Sequence, residues 1–151
     1  ITDKEHYSLS EQLKHCAILL LPQMDKKKIT LEMNVPDIYY YGNQELLEHV
    51  WINLLGNAVK FTPEHGRIII QAKVTPEQME VQIADSGPGM EEEILSHIFE
   101  KYYQSQDGRK KGGNGIGLAI AHRIVTLSGG TITAESHPGK GSIFRVAFPA
   151  D

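Results

Sequence analysis

Apolar and polar positions change period several times along the chain. Ser8 and Glu11 stand at capping-box spacing, and behind them Leu13, Cys16, Ala17, Leu20 and Leu21 recur at helical intervals. This predicts a helix ending between Pro22 and Lys26. Ile29, Leu31, Met33 and Val35 then alternate with polar residues, the period of a half-buried strand. Pro36-Asp37 breaks it ahead of a short extended segment over 38–41. The longest helical stretch is 43–61, with Leu46, Leu47, Val50, Leu54, Leu55 and Ala58 on one face, stopped by 63–66. Strands are predicted over 67–74 and 79–84, joined as a hairpin through Thr75-Pro76-Glu77-Gln78. Residues 91–103 read as helix, 104–114 as a polar, glycine-rich mobile loop, and 116–127 as helix again. A last hairpin, 131–135 with 142–148, closes around Pro138-Gly139-Lys140-Gly141. The pattern predicts an α/β fold: a two-layer sandwich with a mixed sheet of about five strands packed on three helices.

Composition narrows the picture. A chain of 151 residues supports one domain, burying roughly 70% of the surface its unfolded form exposes. Nineteen acidic against fifteen basic residues give a net charge of −4, which disfavours a broad nucleic-acid-binding face. The one cysteine, Cys16, cannot form an internal disulfide. The longest apolar run, 17–21, falls far short of the roughly 18 residues of a membrane span, and the N-terminus does not read as a signal peptide. The expectation is a soluble, cytoplasmic, single domain over 1–151.

Four clusters carry chemistry. Asn53, Asn57, Lys60 and Phe61, within NLLGNAVKFTP, fall on nearly one helix stripe beside the apolar face. An amide oxygen is a hard, neutral metal ligand and an ammonium neutralises phosphate, although a solvated helix edge accounts for the same residues. Asp85-Ser86-Gly87-Pro88-Gly89-Met90 follows a predicted strand; its carboxylate can accept from an amine and its glycines admit a flat ligand, while an ordinary turn has the same composition. Gly112-Gly113-Asn114-Gly115-Ile116-Gly117-Leu118 leads into a helix, freeing N–H groups to face an anion. With no strand directly before it and no Gly-Lys-Ser/Thr after it, it is neither a dinucleotide-binding turn nor a P-loop. Gly139-Lys140-Gly141-Ser142 is accounted for by a β-turn.

In this order the clusters resemble the ATP-binding catalytic domain of sensor histidine kinases, within the superfamily that includes gyrase, heat-shock chaperone ATPases and MutL-type proteins. NLLGNAVKFTP is similar to that family's N box, DSGPGM to its first glycine box, IFEKYYQ to its F box, GGNGIGLAIA to its second glycine box and GKGSIF to its third. The resemblance covers about 8–148. It implies ATP held between helices and a flexible lid, with Asn57 as ligand of a Mg²⁺ ion, Asn53 on the same face, and Lys60 at a phosphate. It places Phe61 near the adenine and makes Asp85 the acceptor for the adenine amino group. Gly87 and Gly89 would let the base approach, Gly113, Gly115 and Gly117 with Leu118 would cradle the phosphates, and Ser142 would complete the base pocket. Tyr103, Lys111 and Ile116 are expected at the nucleotide as well. Where the F box often ends in Arg, this chain has Gln104, and Arg109, Lys110 or Lys111 could supply that charge.

None of His6, His15, His49, His65, His97, His122 and His137 lies in the family's phosphoacceptor context. The resemblance therefore implies a catalytic domain whose acceptor histidine lies on a separate dimerisation domain, with residues 1–7 a linker remnant, a response regulator downstream, and a membrane-anchored, homodimeric parent. A gyrase-type hydrolase would carry Glu four residues before the metal-binding Asn; that position is Asn53, and Glu48 lies too far back. A non-catalytic nucleotide- or partner-binding module is the third reading, against which the intact boxes argue.

Overall fold

In the computed structural model, residues 1–101, 103 and 116–150 are described. The chain runs through β1 (Glu5–Ser8), α1 (Leu9–Lys26), β2 (Thr30–Asn34), β3 (Tyr39–Gly42), α2 (Gln44–Phe61), β4 (Arg67–Val74), β5 (Gln78–Asp85), a short α3 (Glu92–Leu95), α4 (Gly117–Leu127), β6 (Thr131–Ser136) and β7 (Ser142–Pro149). Five strands form one sheet in the order β2-β4-β5-β7-β6. Only the β2–β4 pair is parallel, so the sheet is mixed as expected. Alternation decides its buried face. Ile68, Ile70 and Ala72 on β4, Met79, Val81 and Ile83 on β5, and Phe144, Val146 and Phe148 on β7 are buried, joining Leu47, Val50, Trp51, Leu54, Leu55 and Ala58 of α2 and Ala121, Ile124 and Val125 of α4 in one core.

Residues 5–7, expected in a linker, are part of a second, two-stranded sheet in which β1 pairs antiparallel with β3. Tyr7 is buried there and meets Tyr40 edge-on at 6.2 Å. Ser8 then caps α1 by accepting from the Glu11 N–H at 3.2 Å. Pro22 lies inside α1 without ending it. The carbonyl its missing N–H leaves unserved belongs to Ile18, on a solvent-exposed face where water can take its place.

The predicted helix over 91–103 is reduced to the four residues of α3. Beyond it the backbone follows three-residue turns, with the N–H of His97, Glu100 and Tyr103 donating to the carbonyls of Ile94, His97 and Glu100. The Ser96 hydroxyl donates to the Glu93 carbonyl at 2.8 Å, competing with helix continuation. The looser path buries Ile98 and sets Phe99 edge-on against Phe144 at 6.2 Å. The predicted loop over 104–114 lies outside the described residues. Among the described residues no helix is long and apolar enough to cross a membrane.

Candidate functional site

The first ingredient is a row of residues across the end of the buried sheet face. The strand registers align Ile68 with Asp85, Asp85 with Ser142, and Ser142 with Ser136. Directly paired residues share a face, so the four side chains form one line from β4 to β6. One step inward, the corresponding row is Ile70, Ile83, Phe144 and Ala134. The core face thus turns polar in its last row at Asp85, Ser142 and Ser136, while Ile68 stays apolar, and Asp85 stands where alternation would have put another aliphatic residue.

The Asp85 carboxylate is half-buried. It accepts from the Gly87 N–H at 2.8 Å and from the Ser142 N–H. Burial pushes its pKa above the ordinary aspartate range, and the two N–H donors pull against that shift. Gly87 keeps this approach close: a Cβ there would lie 2.9 Å from the Asp85 Oδ1 and 3.0 Å from the Phe61 carbonyl. The end of α2 and the turn after β5 therefore meet without an intervening side chain.

Gly89 has a different reason. At φ +74° it sits where a Cβ would come within 2.0 Å of the His137 carbonyl, so its missing side chain seats the turn on the β6–β7 connection. The Gly139 N–H donates to the Pro88 carbonyl at 2.6 Å, and the Met90 N–H to the Ser136 hydroxyl at 2.8 Å. The glycine-rich β-turn at 139–142 thus clasps the turn at 85–90.

Asn53, Asn57, Lys60 and Phe61 all lie on α2 and are half-buried, as the stripe predicts. The Lys60 ammonium stands 5.2 Å from the centre of the Phe61 ring. Gly117 opens α4 directly against this stripe, where a Cβ would lie 2.9 Å from the Asn53 Oδ1. Ile116 is its N-cap residue, and Leu118 packs partly buried against the core. Tyr103 is stacked on His97 at 5.2 Å. Lys111, Gly113 and Gly115 lie outside the described residues, as do Gln104, Arg109 and Lys110.

Sequence reasoning missed Ser136 and Lys27. Ser136 had a weak signal: it continues the parity of Ile132 and Ala134 at the end of a strand. Lys27 had none. It follows α1 in a Schellman ending in which Ile29 N–H donates to Met24 and Lys28 N–H to Asp25. Lys28, not glycine, takes the left-handed position, at φ 54°. This delivers the Lys27 ammonium to the C-terminus of α2, where it donates to the carbonyls of Val59, Lys60 and Thr62 at 2.8, 3.0 and 2.8 Å. A cation there opposes the negative end of the helix dipole and fixes the turn that carries Lys60 and Phe61.

A sheet end with a half-buried carboxylate, an amide stripe on the covering helix, and glycines where the two come close thus meet in one corner of the fold. Residues 42–151 match the family of histidine kinase-, DNA gyrase B- and HSP90-like ATPases. The adaptive-response sensory kinase SasA of Rippkaea orientalis is 35% identical over 127 residues, covering 82% of this chain. The sensor histidine kinase AruS of Pseudomonas aeruginosa is 36% identical over 148 residues, covering 91%. The chain spans 32% and 15% of the lengths of those two relatives. Among solved structures, full-length ShkA in complex with AMPPNP superposes with a TM-score of 0.85 at 28% identity, covering 97% of this chain and 31% of that one. The catalytic domain of the histidine kinase ThkA superposes with a TM-score of 0.87 at 25% identity, covering 98% of each. The chain belongs to the histidine kinase-, gyrase- and HSP90-like ATPase family, and within it is an ATP-binding catalytic domain of the sensor histidine kinase kind.

Proposed function

We propose that this chain binds Mg-ATP and transfers its γ-phosphoryl group to a histidine on a separate dimerisation domain, as the catalytic part of a two-component sensor kinase that passes the phosphoryl group on to a response regulator. In this reading residues 1–151 form one catalytic unit attached to that domain and, through it, to a membrane-anchored, homodimeric parent. The observation that carries it is the polar end of the core face, where the Asp85 carboxylate and the backbone carbonyl of Phe61 both approach the bare backbone of Gly87. A flat base carrying an exocyclic amine suits that corner.

In this reading Asp85 accepts from the adenine amino group and Phe61 covers the ring. Lys60 meets a phosphate, while Gly117 lets the start of α4 approach the phosphate side of α2. Lys111, Gly113 and Gly115 are assigned to the phosphates by family resemblance alone. Among the described residues no three His, Cys, Asp or Glu side chains come together to hold a metal. A magnesium ion that keeps phosphate and water ligands needs no such cage, and the neutral Asn57 amide on the same stripe as Asn53 fits it. Bound there, the ion supplies charge neutralisation to the phosphates. Asn53 cannot take a proton from water, whereas an acceptor imidazole is itself the nucleophile, which favours transfer over hydrolysis.

The test is phosphotransfer. Mixed with ATP and a domain carrying the acceptor histidine, the chain should give an acid-labile, base-stable product and release phosphate very slowly without the acceptor. Asn57→Ala should abolish the transfer. Brisk phosphate release without an acceptor, and no transfer to one, would assign the chain to the hydrolase branch.

A further inference from the structure

Among the described residues, a buried polar group next to Ser142 is not used by the site residues proposed above. Ser136 is 6% exposed at the end of β6, and its hydroxyl touches three separate parts of the site. The Met90 N–H donates to it at 2.8 Å, it reaches the Gly141 carbonyl at 2.9 Å, and it lies 2.9 Å from the Ser142 hydroxyl. A serine hydroxyl has one proton, and a carbonyl only accepts. With that proton on the Gly141 carbonyl, the bond between the two hydroxyls must take its proton from Ser142. Ser142 is thereby left with lone pairs and no free proton. Its partner across the β5–β7 pair is Asp85, which when ionised also only accepts.

We infer that Ser136 is a positioning residue for base selection: by fixing the direction of the Ser142 hydroxyl, it makes the Asp85–Ser142 corner an all-acceptor corner that takes a purine 6-amino group and refuses a 6-oxo group. The inference rests on the ATP-binding reading above. The amino group has two protons, one for Asp85 and one for Ser142. A 6-oxo purine brings an acceptor to the same place and leaves acceptors facing one another. Ser136 also ties together the two backbones that hold Asp85. Met90 belongs to the turn that supplies the Gly87 N–H, and Gly141 immediately precedes the Ser142 N–H. Gly141, at φ +75°, permits this closeness, since a Cβ there would fall 2.0 Å from the Asp85 carbonyl.

The experiment measures ATP and inosine triphosphate affinity by competition against a fluorescent ATP analogue, for the unaltered chain, Ser136→Ala, Ser142→Ala and the double variant. Ser136→Ala should weaken ATP about three- to tenfold and leave inosine triphosphate unchanged or tighter, so that the ratio narrows. Ser142→Ala keeps the Ser136 bonds to Met90 and Gly141 and should narrow the ratio as well, with the double variant little worse than Ser136→Ala. Equal losses for both nucleotides would reduce Ser136 to a structural clip and overturn the inference. So would an unchanged ratio in Ser142→Ala, which serves if Ser136→Ala does not fold. Failure of the unaltered chain to bind either nucleotide would instead overturn the ATP-binding reading on which the inference rests.

Discussion

Two buried polar clusters flank α2, and they differ in what is left over. Toward the start of the helix, Gln12 accepts from the Trp51 Nε1–H at 2.9 Å and from the Tyr7 hydroxyl at 3.2 Å, and its amide donates to the Gln44 carbonyl at 2.7 Å. It binds α1, β1 and α2 together with its polar capacity turned inward. Toward the end of the helix, Asp85 is satisfied from one side, by the N–H groups of Gly87 and Ser142, and burial raises its pKa. The first cluster closes on itself and is architecture. The second carries a charge that the fold makes costly, which is the mark of a group kept for a ligand.

Breaking the closed cluster should produce the largest effect. Gln12→Ala strands the Trp51 N–H and the Tyr7 hydroxyl in the core, and chemical denaturation should show a loss of about 2–4 kcal/mol. Nucleotide affinity, measured under conditions where the variant stays folded, should hardly change. If affinity fell with stability, the two clusters would not be independent.

Asp85→Asn should do the reverse. Exchanging an acceptor oxygen for an amide donor and removing the charge should weaken ATP by roughly 1.5–3 kcal/mol in a calorimetric titration. Stability should hold or rise slightly, because the burial cost of the carboxylate is gone. Undiminished affinity would sink the assignment of Asp85 to the base.

Lys27→Met tests whether the far end of α2 needs its cation. Loss of three bonds to the Val59, Lys60 and Thr62 carbonyls should cost about 1–2 kcal/mol of unfolding free energy. Hydrogen exchange should quicken in the last turn of α2 more than in its first. Uniform exchange along the helix would count against a local cap.

The smallest effect sharpens the electrostatic half of the comparison. Because the folded-state pKa of Asp85 is raised, its ionisation cost is absent below the ordinary aspartate pKa. The cost sets in as pH rises toward the raised value. ATP affinity should therefore fall on acidification in the window just above the ordinary aspartate range, and Asp85→Asn should flatten that dependence. A titration of affinity against pH reads both, and identical profiles would mean that Asp85 is not the group responsible.

The sequence alone determined the elements whose signal is local. The periods of the five sheet strands, the Ser8 cap and the α2 stripe are written within a few residues of where they act. So are the positions of Asn53, Asn57, Lys60 and Phe61 along one helix and of Asp85 at one strand end, whose spacing is local. It failed where a competing contact decided the outcome. The chain left the helix after Leu95, where Ser96 bonds backward and Ile98 is drawn into the core. Tyr7 became core because β3, more than thirty residues away, offered it a pairing edge. The tertiary structure alone decided that Gly89 and Gly141 make room for other backbone, and that Lys27 closes a helix it does not belong to. It also decided that Ser136 stands in line with Asp85. That line exists only through two strand registers, and register is a property of paired strands that no single segment contains.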